Sequence, residues 1–442
     1  MKKNLLSFLL VFSAQYMLPQ TTPKTYELLA VAEGNFGTPN GDIFTVGTHA
    51  TGTPEVNAKI YQNANNTTGF DVLQDFQIIG NKAVLLSKAA GFRVVIADYP
   101  SLNHIATLTG LGGPQTLAAA GTAKAYLGSS NPNAIYSIDL TNNVATAVAD
   151  PNAVINGTAS YMVYADGYIY AALSSKIVKI DVATNTVAAV IQPNAGTVAG
   201  LQYDAANNII WILGKVSGTS VVIKMQSNGA NELAAPVTLT GVTNATQLRL
   251  GNHKLYFLSG KNVHAYDAAA PGTTATFVYT STLTGSWDFA YGKSFDVDAE
   301  SGDFVIGSAS AFTSGSKYEI VNGTDFTLIE SGSIEGCMGV NEFMLKTFDG
   351  TLSIQHPVAN EIVQAIYPNP VRSLLNIDLK SDNNAIYSVT LISQLGVTVK
   401  NTAGITNGQC KLDVSGLSAG IYIVRITDTV TNTTIVRKVI VQ

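Results

Sequence analysis

From Phe70 to the 350s the chain repeats itself at roughly 40–49-residue spacing, and this periodicity limits the fold more than any other feature. Asn133–Val148 and Lys176–Val190 show the repeat best. Each reads as a strand with alternating side chains, a polar turn containing Thr-Asn, and a second strand. Weaker copies run through Phe92–Leu108, Ser220–Val237, Asn262–Tyr279 and Lys317–Ser331. Each copy follows another hairpin: Ser160–Ala172 turning at Asp166-Gly167, Gly200–Leu213 at Ala206-Asn207-Asn208, Leu248–Leu258 at Gly251-Asn252. The unit is therefore four antiparallel strands, starting near Phe70, Pro114, Ala159, Ala199, Ala245, Ser294 and Glu335.

A single four-stranded sheet cannot bury both of its faces. Sheets stacked in a ring bury one another's faces, and closing the ring removes the free ends. The expected fold is all-β: a seven-bladed β-propeller, with eight blades as the alternative. The seventh unit runs short of strands after Ile354, while Tyr26–Tyr61 carries strands that no unit claims. Closure is expected to complete the last blade with strands from the start of the chain. Around His356–Val363 the pattern stops, and a small Ig-like β-sandwich is expected beyond it. Its strands are Leu375–Leu379, Tyr387–Ile392, Thr398–Lys400, Lys411–Val414, Ile421–Thr427 and Ile435–Val441.

Charged residues are 12 % of the chain, about half the usual share of ~25 %. Gly, Thr, Asn, Ser and Ala fill the gap, as in β-rich extracellular proteins. The net charge of −5 and the lack of a Lys/Arg cluster exclude a nucleic-acid surface. Lys2 and Lys3, the apolar run Leu5–Phe12, and Ser13-Ala14 read as a signal peptide within residues 1–20. No cysteine lies near it, which excludes lipoprotein processing there, and no transmembrane span is expected in the mature protein. Cys337 and Cys410 fall in different expected domains and read as buried free thiols. The expected domains are a signal peptide over 1–20, the propeller over 24–357, a linker over 358–364 and a C-terminal domain over 365–442.

Tyr367-Pro-Asn-Pro370, Leu374-Leu-Asn-Ile377, Gln394-Leu-Gly396, Leu412–Tyr422 and the terminal Lys438–Gln442 come in an order and spacing that resembles the type A sorting domain of type IX secretion substrates in the Bacteroidetes. The resemblance implies passage across both membranes, removal of this domain by a sortase-like peptidase of the secretion machinery, and release or attachment at the cell surface. Val31–Gly37 with Asn40–Phe44, then Gln74–Ile79 and Val94–Asp98, resemble the start of YncE-like surface propellers of the same bacteria. That group includes BtuG-like proteins that capture cobalamin on an outer-membrane vitamin B12 transporter. The resemblance implies a corrinoid ligand and a TonB-dependent receptor as partner. This chain departs from the group in lacking a lipid-anchor cysteine and in carrying a sorting domain.

Sequence motifs for chemistry are sparse. His49, His104, His253, His264 and His356 show no paired metal spacing. Asp296–Asp303 alternates acidic residues as a calcium loop does, but lacks the glycine and the distal glutamate, and aligns with hairpin turns elsewhere. No nucleophile elbow or phosphate loop occurs, and Gly110–Gly113 precedes no helix. The chain is therefore read as a non-enzyme without metal or cofactor. What remains is the face that collects the loops between blades and the loops between each blade's second and third strands. It would present Asn35, Phe36, Phe70, Gln115, Tyr161, Gln202, Gln247, Trp287 with Asp288, and Phe312 as ligand-binding residues. Aromatics with amides suit a bulky, amide-bearing ligand. The expected function is a cell-surface ligand-capture propeller, with a corrinoid as the concrete case. An adhesion propeller for protein or glycan is the alternative, and a propeller-fold lactonase or lyase would need acids, histidines or a metal at the central channel.

Overall fold

The computed structural model describes residues 25–48, 54–89, 93–227, 231–269, 274–284, 292–348, 363–379, 385–393, 398–406, 408–430 and 433–442. The expected signal peptide, His49, Trp287, Asp288 and His356 lie outside them. The chain divides into two compact units, residues 1–350 and 351–442.

In the first unit the described residues form seven four-stranded antiparallel sheets. Their innermost strands are Leu73–Ile79, Gly113–Ala119, Tyr161–Ala165, Thr197–Asp204, Thr246–Gly251, Phe295–Val297 and Val340–Phe348, in blades 1 to 7. Each touches the next, and the seventh touches the first, so the ring is closed. Blade 7 is the composite that the sequence suggests. Val340–Phe348 pairs with Thr25–Ala32, which pairs with Asp42–Thr48 and then Glu55–Asn57. The first residues of the described chain and the last strand of the unit thus share one sheet.

Apolar alternation places a separate core between every pair of neighbouring blades. Val84, Leu86 and Ile96 of blade 1 meet Leu117, Leu127 and Ile138 of blade 2. At the closing seams, Val305 and Ile320 of blade 6 meet Phe44 and Phe343 of blade 7, while Leu29 and Ile43 of blade 7 meet Phe76, Leu85 and Val95 of blade 1. Full burial of such a side chain is worth about 1.5–3 kcal/mol, so the ring is held by its interblade cores as much as by its hydrogen bonds.

The repeated Asp…Thr-Asn motif has a local cause. Asp139 accepts hydrogen bonds from the N–H groups of Thr141 and Asn142, and Asp181 from those of Ala183 and Thr184. Asn143 and Asn185 then take the left-handed conformation that asparagine tolerates and that closes the turn. A lysine from the preceding blade ties this turn down: Lys124 donates to the Val182 carbonyl at 3.1 Å, and Lys82 makes the matching bond to Leu140. One turn sits a residue later than the sequence suggests. Asn252 and His253 both have positive φ, whereas Gly251 ends its strand, where a Cβ would collide with Val297 and Asp298. The Asp296–Asp303 segment is a turn: the Asp298 carboxylate accepts from the N–H groups of Glu300 and Ser301.

The second unit is a small sandwich. A three-stranded sheet of Val363–Tyr367, Leu374–Leu379 and Gln409–Asp413 faces a four-stranded sheet of Thr398–Ile405, Tyr387–Ser393, Gly420–Asp428 and Thr433–Val441. Leu375 and Ile377 from one sheet share a core with Val389, Leu391 and Val424 from the other.

Candidate functional site

The seven innermost strands enclose a cavity of about 320 Å3. Tyr161 and Met162 come from blade 3, Gln202 from blade 4, Gln247 and Arg249 from blade 5, Lys293 and Asp296 from the edge of blade 6, and Glu342 and Phe343 from blade 7. Inward positions of central strands are usually apolar, so four charges around one cavity, with Asp75 buried behind Lys293, require a reason.

The charges form two linked groups. The Arg249 Nε–H lies 3.1 Å from Asp296, whose other oxygen accepts the Leu345 N–H at 2.9 Å. Burial raises Asp296 above the ordinary carboxylate range, and the Arg249 guanidinium and the backbone donor offset part of that rise. The Lys293 ammonium lies 2.6 Å from Asp75 and 3.4 Å from Glu342. Burial works to lower Lys293, but the two carboxylates outweigh it and hold the ammonium above its ordinary value. Asp75 is sealed from solvent and also accepts the Leu117 N–H of blade 2 at 2.8 Å. Glu342 is 4 % exposed, and its Oε2 has no hydrogen-bond partner. Burial, opposed by Lys293 and reinforced by the Asp75 charge, pushes it up to about 8. Tyr161 faces the same space, its hydroxyl raised by burial against the pull of Arg249 and Lys293.

The backbone fixes this arrangement. The Lys293 N–H donates to the Asn341 carbonyl and its carbonyl accepts from Phe343, which clips the entry of blade 6 onto blade 7. The Asn341 amide in turn donates to Gln74 of blade 1.

The sequence-expected ligand residues divide between places. Tyr161, Gln202 and Gln247 line the cavity together; Gln202 donates to the Leu248 carbonyl at 3.0 Å. Asn35 donates to the Phe312 carbonyl at 3.0 Å and pairs with Asn40, so Asn35 and Phe312 meet in a braced loop cluster of blades 6 and 7. Beside them Phe36 is 85 % exposed. Gln115 is spent on Ser130 and Gly113 in blade 2. Phe70 does not present its ring to solvent: it is fully buried against Tyr61, with the Arg93 guanidinium over its face. Among the described histidines, His104 bonds Thr107 at a blade edge, His253 is a turn residue, and His264 is held between Phe257 and Phe277 with its pKa lowered by burial. No group of acidic, histidine or cysteine side chains suited to a metal occurs among the described residues.

A family model described as a domain of unknown function, DUF5074, matches residues 27–334, well over half of the 442-residue chain. The chain belongs to the DUF5074 family. The DUF5074 match stops before Val340–Phe348, so Glu342 lies outside the matched span. A second model, the secretion system C-terminal sorting domain, matches residues 365–442. The DUF5074 propeller therefore carries a tail that directs export to the cell surface or outer membrane. No curated protein matches the chain. Among solved structures, a periplasmic gluconolactonase of Pseudomonas aeruginosa is 13 % identical with a TM-score of 0.55, covering 73 % of this chain and 99 % of its own. A functionally unknown protein of Desulfotomaculum acetoxidans is 11 % identical with a TM-score of 0.52, covering 72 % and 98 %. At these identities the likeness shows the propeller fold and nothing finer.

Proposed function

We propose that this exported propeller captures a ligand non-covalently at the mouth of its central channel and presents it at the cell surface. The polar cavity ringed by Tyr161, Gln202, Gln247, Arg249, Lys293 and Glu342 carries the proposal. Its size suits a small molecule, and convergent polar groups on a rigid ring are what such a site requires. A corrinoid, handed on to a TonB-dependent receptor, is the concrete case implied by the Glu33–Gly37 loop. A macrocycle larger than the cavity would lie across the mouth, with only its peripheral amides reaching Gln202 and Gln247. Titration with cobalamin at micromolar protein tests that case, and absence of binding removes it.

The general proposal is tested by capture. The protein is incubated with the low-molecular-weight fraction of spent medium, washed, and its retained compounds are identified by mass spectrometry beside a Gln202→Trp variant that fills the cavity. A compound retained by the wild type and lost from the variant supports capture; identical profiles refute it.

A hydrolytic reading draws on one observation, the buried carboxyl of Glu342 3.4 Å from Lys293, whose burial favours the protonated form that a general acid needs. The gluconolactonase named above shares the fold and makes simple lactones the substrates to try. Turnover of a lactone panel that is abolished in Glu342→Gln would favour this reading over capture.

A further inference from the structure

The pairing inside the cavity leaves a surplus of donors. Arg249 is held by Asp296 and the Leu248 carbonyl, Asp296 by Arg249 and the Leu345 N–H, and Asp75 is taken by Lys293 and the Leu117 N–H and has no exposed surface. Glu342 is left 3.4 Å from Lys293, with one oxygen unpartnered in a site 4 % exposed. An ionised carboxylate in that position is costly, so the group keeps a proton and becomes a donor. Lys293 has three N–H donors for two carboxylates, and its side chain keeps 27 % of its surface open. The Tyr161 hydroxyl and the amides of Gln202 and Gln247 complete the wall.

We propose that the channel binds a small carboxylate, held between the Glu342 carboxyl, the Lys293 ammonium and the Tyr161 hydroxyl. The inference rests on the capture reading and assigns its ligand a charge and a head group. A carboxylate accepts from all three donors, and such charge-assisted bonds are stronger than those to a neutral carbonyl. A cationic head would meet the ammonium of Lys293 and the guanidinium of Arg249. The acids Asp75 and Asp296 already balance those two cations, so an incoming anion holds the proton on Glu342 rather than displacing it. Binding and protonation are therefore coupled in one direction: affinity is full while Glu342 is protonated and falls once it ionises.

Three probes with one polyol chain separate the cases: gluconate, gluconamide and glucamine, with anionic, neutral and cationic heads. In calorimetric titrations of the full chain near neutral pH, gluconate is expected to bind at least about tenfold tighter than gluconamide, and glucamine weakest. Gluconate affinity is expected to fall up to roughly tenfold per pH unit once Glu342 ionises. In Glu342→Gln the profile between about pH 6 and about pH 9 is expected to flatten to within about twofold. Gluconamide or glucamine equalling gluconate, a flat wild-type profile, or no binding by any probe overturns the carboxylate assignment. Capture itself fails separately, when the spent-medium assay shows no compound that depends on the open channel.

Discussion

Replacing Glu342 with glutamine should make the propeller more stable at alkaline pH, although it removes one member of a salt-bridge cluster. The group ionises near its ordinary 4.5 in the unfolded chain and is pushed up to about 8 in the folded one, mainly by burial. The folded state therefore holds a proton that the unfolded state has released. Stability is complete below about 4.5 and is lost as pH rises through about 8. A rise of that size corresponds to at most about 4–5 kcal/mol, at ~1.4 kcal/mol per tenfold change in acidity. Lys293 keeps 27 % of its side-chain surface open, so water screens part of this effect. About 2–4 kcal/mol is the expected difference. Glutamine fits the same space without charge, and Lys293 keeps Asp75 at 2.6 Å. Guanidinium unfolding read by the fluorescence of Trp211, which is buried between blades 4 and 5, measures the difference. Wild type and variant should nearly coincide at about pH 5 and diverge by about pH 9 in the variant's favour. A variant less stable at every pH, or a constant gap between the two, would refute the reasoning.

Four further outcomes follow from the packing. Gly307→Ala places a methyl on the Phe343 ring at the closing seam and should cost about 1–3 kcal/mol in thermal unfolding, with a cost near zero counting against the seam as described. Cys337 is sealed and its thiol is pushed up to about 12, so a thiol reagent at mildly alkaline pH should label it only after denaturation. Asp181→Ala removes the acceptor for two turn amides, and hydrogen exchange should quicken at Ala183 and Thr184 while the strands on either side stay protected. Ending the chain at Phe348 should preserve one cooperative unfolding transition, whereas ending it at Gly339 removes the innermost strand of blade 7 and should abolish it.

The fold was legible because its devices are local. Asp-Gly and Thr-Asn turns recur at blade length, and the surplus strands at Tyr26–Tyr61 have only one vacancy to fill. The site was legible in part. Tyr161, Gln202 and Gln247 could be placed on the loop-bearing face because each stands near the start of a repeat, and the structure sets all three in the cavity wall. Asp75, Arg249, Lys293 and Glu342 escaped notice, and Asp296 read only as part of a turn, because the five are spread over blades 1, 5, 6 and 7 and only ring closure brings them together. The available signal was their position: all five lie within or beside strands that pack at the centre, where an unpaired charge is costly. Phe70 misled in the opposite way. Its place in a blade-connecting loop suggested exposure, but the short helix Ile60–Asn65 supplies Tyr61 and covers the ring.

The composite seventh blade also bears on how a copy of this protein becomes fit to leave the cell. Synthesis lays down blades 1 to 6 in order while the strands of 25–57 wait, exposed on one side, for a partner made some three hundred residues later. That partner ends at Phe348, shortly before the sorting tail begins at residue 365. A copy cut short anywhere in the ring lacks both the strand that closes it and the address that exports it. Completeness of the fold and permission to travel are thus written next to each other in the chain.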